Sequence, residues 1–299
     1  MNFEGFIQFL EENNCAYFVN EPMKNHTTFK IGGEADIFVK PTSVEVCQGI
    51  IKFCNDNQLP ITFFGGGSNV LVSDFGIKGV VLHTGGMNDM TVDGCEIYCS
   101  AGVKLSKMCA FALENSLSGL EFGWGIPGTV GGAVFMNAGA YGGEIKDVLV
   151  SVDYINSDGE FCTAEASELK LGYRTSIFQK NNALIVGAKV RLAPKEPEAI
   201  RSVMNELLER RKSKQPVDMP CAGSVFKRPE GHFAGTLIEQ EGLKGERIGG
   251  AVVSEKHAGF IVNDGDATCS DVLRLVELIK ERVFSSTGVQ LECEIKVLK

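Results

Sequence analysis

The chain has 299 residues, 44% of them apolar and 22% charged, values that exclude a disordered tail protein and a simple coiled coil. A formal net charge of −9 does not suit a binder of duplex nucleic acid, which needs a basic face, so no nucleic-acid partner is expected. Glycine, at 35 residues, exceeds its usual ~7% share without any period, which excludes collagen. No apolar run reaches the ~18 residues of a membrane span. The opening Met1-Asn2-Phe3-Glu4-Gly5 has no cationic leader, so a cytoplasmic protein is expected. Its 10 cysteines then read as reduced, small buried hydrophobes. None forms a C-x-x-C pair, and Cys95 and Cys99 lie in a strand-like stretch, so no metal site is expected.

Phe3 to Asn13 reads as a short helix, and Ala35 to Lys40 as a strand by its β-branched and aromatic content. Thr42 and Glu45 match a capping box, and Val44, Cys47, Ile50, Ile51 and Cys54 recur behind it at helical spacing. Ile61 to Phe64 is a second strand, so residues 35–64 read strand, helix, strand. Short strands with glycine turns fill Val70 to Ser100, and residues 104–115 read as a helix. Val148 to Ile155, Glu160 to Thr163 and Ala183 to Leu192 are strand-like, the first two joined by a hairpin turn at Asn156-Ser157-Asp158-Gly159. Composition shifts at Ala193-Pro194-Lys195-Glu196-Pro197, where a domain boundary is expected. Ile200, Val203, Met204, Leu207 and Leu208 then form a helical stripe that Gln215-Pro216 stops. A last helix, Ser270 to Phe284, has Thr268 and Asp271 as its cap pair, and Leu291 to Leu298 reads as the final strand.

Two glycine-rich loops stand out. Gly65-Gly66-Gly67-Ser68-Asn69 follows a strand and precedes another, Val70-Leu71-Val72. A Rossmann loop opens into a helix instead, and neither its G-x-G-x-x-G nor a Walker A motif is present. Successive glycines can still curl into a nest of N–H groups that binds phosphate, because a Cβ would block both the backbone angles and the close approach. The second loop runs from Gly125 to Gly143 and can pack bare backbone against a flat ring. The plain alternatives are a tight turn for the first loop and close helix packing for the second. The pair together favours a large dinucleotide.

Gly65 to Val72 and Ile126-Pro127-Gly128-Thr129-Val130-Gly131-Gly132 resemble the FAD-binding domain of the vanillyl-alcohol-oxidase type. Three further segments narrow the resemblance: Gly172-Tyr173-Arg174-Thr175-Ser176-Ile177-Phe178, Ala222-Gly223-Ser224-Val225-Phe226-Lys227 and Leu291-Glu292-Cys293-Glu294-Ile295. With them the chain is similar to the UDP-N-acetylenolpyruvoylglucosamine reductase family from about Thr28 to its end. No insertion separates Arg174 from the Ala183 strand, which resembles the shorter subgroup without a tyrosine-bearing lid. Trp124 stands where many members carry smaller residues, and Cys293 where some carry proline.

The resemblance implies an α+β fold: a two-subdomain FAD-binding unit and a C-terminal α+β substrate-binding domain. The expected boundaries are an N-terminal helical segment at 1–27, the FAD-binding domain at 28–193 with a split near 90, and the substrate domain at 194–299. It implies non-covalent FAD, NADPH as co-substrate and a UDP-sugar nucleotide as substrate. It assigns the cofactor to Gly65, Gly66, Gly67, Ser68, Asn69, Pro127, Gly128, Thr129, Gly131, Gly132, Asn137, Ala138 and Gly139.

Reduction of an enolpyruvyl ether moves negative charge toward C2 and the carboxylate, and a guanidinium that keeps its proton can stabilise it. By motif match that is Arg174. Ser224 is the candidate acid toward C2, and Glu294 the residue that polarises the substrate carboxylate, with a raised pKa expected where two carboxyl groups meet. Tyr173, Lys214, Arg228 and His257 are the candidate substrate contacts. Taken singly, Arg174 reads as a surface ion-pair residue, Ser224 as a turn residue and Glu294 as an exposed strand glutamate; the motifs select the catalytic reading. The runner-up functions are an FAD-dependent oxidase or dehydrogenase on the same fold and a catalytically idle sugar-nucleotide or flavin sensor. The joint presence of Arg174, Ser224 and Glu294 argues against the sensor.

Overall fold

The computed structural model describes residues 3–299; Met1 and Asn2, at the head of the expected N-terminal segment, lie outside them. Compactness divides the chain into two units. One comprises Met1–Val19, Ile37–Gly66 and Gly79–Glu209, the other Asn20–Asp36, Gly67–Lys78 and Arg210–Lys299. These units are interleaved in the sequence, each built from separate stretches of chain. The cause is burial: Phe29, Ile31 and Leu71, far from the C-terminus in sequence, are fully buried in the core built by residues 222–295.

The first unit has two cores. In one, α1 (Glu4–Glu12) and α2 (Val44–Asp56) bury Phe6, Leu10, Cys47, Ile50, Ile51 and Cys54 against Ile37, Val39, Val80 and Leu82. The last four belong to a sheet ordered Ala16–Pro22, Glu34–Lys40, Ile77–His83, Ile61–Phe64, whose last pair is parallel with Ile61 opposite Val80. The helical set predicted for α2 is the one buried, but its cap differs. Ser43, not Thr42, has the extended backbone of a cap, and its hydroxyl accepts from the Val46 N–H at 3.3 Å.

The other core lies under an antiparallel sheet ordered Phe161–Glu165, Leu149–Ile155, Leu184–Arg191, Glu96–Ser100, Met90–Asp93. Onto it pack α3 (Leu105–Glu114), α4 (Val130–Phe135) and the start of α5 (Pro197–Lys214). The predicted hairpin turn is present, with the Asn156 side-chain oxygen accepting from the N–H of Asp158 and Glu160. Of the stripe predicted for α5, only Ile200 and Met204 are buried.

In the second unit, an antiparallel sheet runs Cys221–Ser224, Phe260–Asn263, Ala251–Val253, Arg247–Ile248. It shares its core with α6 (Ala234–Gln240) and α7 (Cys269–Thr287). On α7, Val272, Leu275, Val276, Ile279 and Val283 form the buried stripe. A separate parallel pair joins Val70–Val72 to Lys296–Leu298. The predicted final strand is therefore shorter: Leu291 to Ile295 lie outside it, because this segment bonds to a different partner, through a single bridge between Cys293 and Phe226.

All 10 cysteines are free. Burial pushes the thiols of Cys47, Cys54, Cys99 and Cys109 up to about 12, which leaves them protonated and unreactive. Among the described residues no helix is long and apolar enough to cross a membrane, and no three His, Cys, Asp or Glu side chains gather as metal ligands do.

The N-terminus of α7 is satisfied donor by donor. Thr268 and Asp271 form the predicted capping box. The Cys269 and Ser270 N–H groups donate to the two carboxylate oxygens of Asp74, at 2.7 and 3.0 Å, and the Val272 N–H donates to the Thr268 carbonyl. Asp74 thus ties the short segment Gly67–Lys78 to the longest helix of its unit. Replacing Asp74 by alanine is expected to cost about 1 kcal/mol, as loss of a helix cap does, and to lower the urea midpoint with the slope unchanged. An unaltered midpoint would show that water replaces the carboxylate without loss.

Candidate functional site

The strand Ile61–Phe64 delivers Gly65 and Gly66 against the second glycine-rich loop. A Cβ on Gly66 would stand 2.8 Å from the Gly128 Cα and 3.2 Å from the Thr129 nitrogen, and one on Gly65 would stand 3.0 Å from the Thr129 hydroxyl. The two loops therefore meet main chain to main chain, and only glycine permits it. Gly67, in the second unit, has φ +63°, and a Cβ there would collide with the His26 carbonyl, while its own carbonyl accepts from the Thr28 N–H.

The second loop is not irregular throughout. Thr129 caps α4, accepting from the Gly132 N–H, and the Gly131 N–H donates to the Ala101 carbonyl. At Gly131 the close-packing alternative is the one observed, since a Cβ there would be 2.9 Å from that of Ala101. The Gly128 carbonyl accepts from the Leu105 N–H and so ties the loop to α3. Pro127 precedes Gly128 in the same turn.

Asn137, Ala138 and Gly139 lead from α4 to the arginine. Asn137 is fully buried at φ +41°. Its amide nitrogen donates to the Glu144 carboxylate at 2.6 Å and to the Gly172 carbonyl at 3.0 Å, and its oxygen accepts from the Lys146 N–H. The side chain is therefore spent on holding the Gly172 turn. In that turn Arg174 itself has φ +53°, an uncommon conformation for a residue with a Cβ. Gln179 steadies it, its side-chain nitrogen donating to the Arg174 carbonyl at 2.9 Å and to the Phe135 carbonyl at 3.2 Å. The guanidinium donates to the Gly139 carbonyl and lies 5.2 Å from the centre of the half-exposed Tyr173 ring. Glu144 is held below the usual carboxylate range, by Lys146 first, then by Asn137 and Arg174. Sequence reasoning missed Gln179 and Glu144, although Gln179 directly follows the quoted Gly172–Phe178 motif.

In the second unit Ser224 ends the edge strand of the sheet, after Gly223 at φ +78° and a register irregularity between Cys221 and Ser224. Its hydroxyl donates to the Phe226 carbonyl at 3.2 Å. The next residue, Val225, binds both the Gly259 carbonyl and the Glu294 N–H. Ser224 and Glu294 are thus brought together by one stretch of main chain. His257 joins them through Gly259, whose N–H donates to its Nδ1 at 3.0 Å. Burial pushes the imidazole down, so it is neutral at pH 7 with its proton on Nε2.

Asn69 reaches the same group: its side-chain nitrogen donates to the Glu294 carbonyl at 3.3 Å, and its own carbonyl accepts from the Lys296 N–H. Ser68 precedes it in the loop. Arg228 stacks on the exposed Phe233 ring at 4.0 Å, and Lys214 is exposed at the end of α5.

Residues 35–165 match the family described as FAD binding domain, and residues 215–298 match the UDP-N-acetylenolpyruvoylglucosamine reductase C-terminal domain. The chain is 47% identical to the UDP-N-acetylenolpyruvoylglucosamine reductase of Syntrophomonas wolfei over 281 residues, 94% of each protein. It is 45% identical to that of Clostridium botulinum over 298 residues, 99% of this chain and 97% of that one. The solved UDP-N-acetylenolpyruvylglucosamine reductase from Thermus caldophilus superposes with a TM-score of 0.81 at 34% identity, covering 95% of this chain and 99% of that one. Berberine bridge enzyme from Eschscholzia californica, at 17% identity and a TM-score of 0.50 over 63% of this chain and 43% of its own, is a likeness of fold alone. The chain is an oxidoreductase with an FAD-binding domain and belongs to the UDP-N-acetylenolpyruvoylglucosamine reductase family.

Proposed function

We propose that this chain reduces the enolpyruvyl ether of UDP-N-acetylglucosamine-enolpyruvate to UDP-N-acetylmuramate, a peptidoglycan precursor, with NADPH as reductant. The observation that carries the reading is the bare main-chain contact of Gly66 with Gly128 in a chain of this family. Loops without side chains leave backbone N–H groups and flat peptide surface for a diphosphate and a ring system, so the residues present fit FAD. Gly65 to Asn69, Pro127 to Thr129, Gly131, Gly132 and Asn137 to Gly139 are the residues that would hold it, Asn137 and Gly131 by shaping the loops. When bound, FAD would supply the redox chemistry that carries reducing equivalents from NADPH to the enolpyruvyl group, where hydride adds at C3.

Addition at C3 shifts negative charge toward C2 and the substrate carboxylate. Arg174 meets that charge with a guanidinium that stays protonated. Its left-handed backbone, fixed by Gln179 and the Asn137-bound turn, keeps the guanidinium in place before substrate arrives. The Ser224 hydroxyl gives its proton to C2, and solvent resupplies it. Glu294 polarises the carboxylate and shares a proton with it. Tyr173 packs against the substrate beside Arg174, while Lys214, Arg228 and neutral His257 bind its polar parts, the two cations taking the diphosphate.

Ser224→Ala is expected to leave flavin reduction by NADPH intact and to slow reoxidation by the enolpyruvyl substrate by roughly a hundredfold or more, read by anaerobic stopped-flow absorbance. Equal loss in both half-reactions would remove the acid role. Arg174→Lys is expected to impair the same second half-reaction, since a point charge does not reproduce the planar fork; near-normal reoxidation would take Arg174 out of the mechanism. Gly66→Val is expected to yield a folded but colourless protein, and a yellow purified variant would contradict the assignment of the glycine-rich loops.

A further inference from the structure

The terminal segment changes partner at Glu294. Before it, the chain runs against Val225–Lys227: the Lys227 N–H donates to the Glu292 carbonyl at 2.8 Å, Cys293 bridges Phe226, and the Glu294 N–H donates to the Val225 carbonyl at 2.8 Å. After it, Lys296–Leu298 pair in parallel with Val70–Val72, and the Lys296 N–H donates to the Asn69 carbonyl at 3.0 Å. Such a switch point lacks the two-sided ladder that fixes a residue inside a sheet. A side-chain bond reaches across the gap, from the Asn69 amide to the Glu294 carbonyl at 3.3 Å, between residues 225 apart in sequence.

We infer that Asn69 is a positioning residue for Glu294, holding its backbone at this switch point between Val225, the neighbour of Ser224, and the end of the first glycine-rich loop. The inference rests on the catalytic reading of Glu294 given above and adds a second task to a residue otherwise counted among the flavin contacts. The main-chain N–H of Glu294 fixes its distance from the Ser224 strand, and the Asn69 bond fixes the rotation of the following peptide. Together they set the direction in which the carboxyl leaves the chain. Asn69 is also continuous with Gly65–Ser68, so the loop assigned to FAD and the carboxyl assigned to the substrate share one hydrogen-bonded connection.

The test uses full-length enzyme saturated with FAD. Asn69→Ala removes the side-chain bond but keeps the main-chain bond to Lys296, so the parallel pair survives. Asn69→Asp keeps the volume but turns a carboxylate toward the Glu294 carbonyl, and serves if the alanine variant does not fold. The expected result is reoxidation by the enolpyruvyl substrate slowed roughly ten- to a hundredfold, the scale of a catalytic group displaced by a fraction of an ångström to an ångström, and slowed more than flavin reduction by NADPH. In a Glu294→Gln background the Asn69 substitution is expected to add little, because the group it positions is already lost. If Glu294→Gln is slow while FAD-saturated Asn69→Ala reoxidises at the wild-type rate, the positioning role falls and the reading of Glu294 stands. Full additivity of the two substitutions, or equal slowing of both half-reactions, also overturns the positioning role. If Glu294→Gln alone reoxidises normally, the reading of Glu294 fails and the inference with it.

Discussion

The contact on which the first unit's site depends is the approach of Gly66 to Gly128 with no side chain between them. Overpacking a well-filled site costs about 1–3 kcal/mol, and here the intruding methyl would meet main chain, which cannot turn aside as a flexible side chain can. The loops are fixed from behind. Gly128 is tied to α3 through Leu105, Thr129 closes the first turn of α4, and Gly131 lets that helix settle on Ala101. The same short helix then leads to Asn137 and the arginine turn, so the glycine contact and the Arg174 conformation are two ends of one braced segment.

The second unit solves a different problem. It gathers three pieces of chain that are distant in sequence, and closing such loops costs entropy that grows only slowly with their length. Full burial of Phe29, Ile31 and Leu71 offsets part of that cost, at about 1.5–3 kcal/mol for each large apolar side chain. Polar bonds then set the register. Asp74 takes two helix N–H groups, Asn263 donates to the Phe29 carbonyl, Thr28 donates to the Cys221 carbonyl, and Asn69 holds Glu294. Apolar burial makes the pieces cohere, and side-chain-to-backbone bonds decide how they are aligned.

What could be read from the sequence follows from the range of the interactions involved. The stripes of α2 and α7 are local and were legible, as was the Thr268–Asp271 cap. The start of α2 was ambiguous because Thr42 and Ser43 are adjacent hydroxyls, and only the backbone decides which of them turns toward the helix. The break in the terminal strand was hidden because it is set by partners at 225–227 and at 70–72. The family motifs named Arg174, Ser224 and Glu294 without their supports. Nothing local in the sequence marks an arginine at positive φ, a buried asparagine with three bonds, or a glycine that gives an imidazole its tautomer.

That last glycine bears on how a serine can act as an acid. A Cβ on Gly259 would stand 3.0 Å from the His257 ring and 3.5 Å from the Ser224 hydroxyl, so glycine keeps the space between the two clear. The hydroxyl rests on the Phe226 carbonyl at 3.2 Å, a bond worth about 1 kcal/mol net, which substrate binding can replace at little cost. A serine hydroxyl is a very weak acid. On the proposed reading it gives up its proton only as charge builds on the substrate. Burial holds the His257 imidazole neutral across Gly259 from that hydroxyl, so on the same reading the ring brings no charge of its own to the proton transfer.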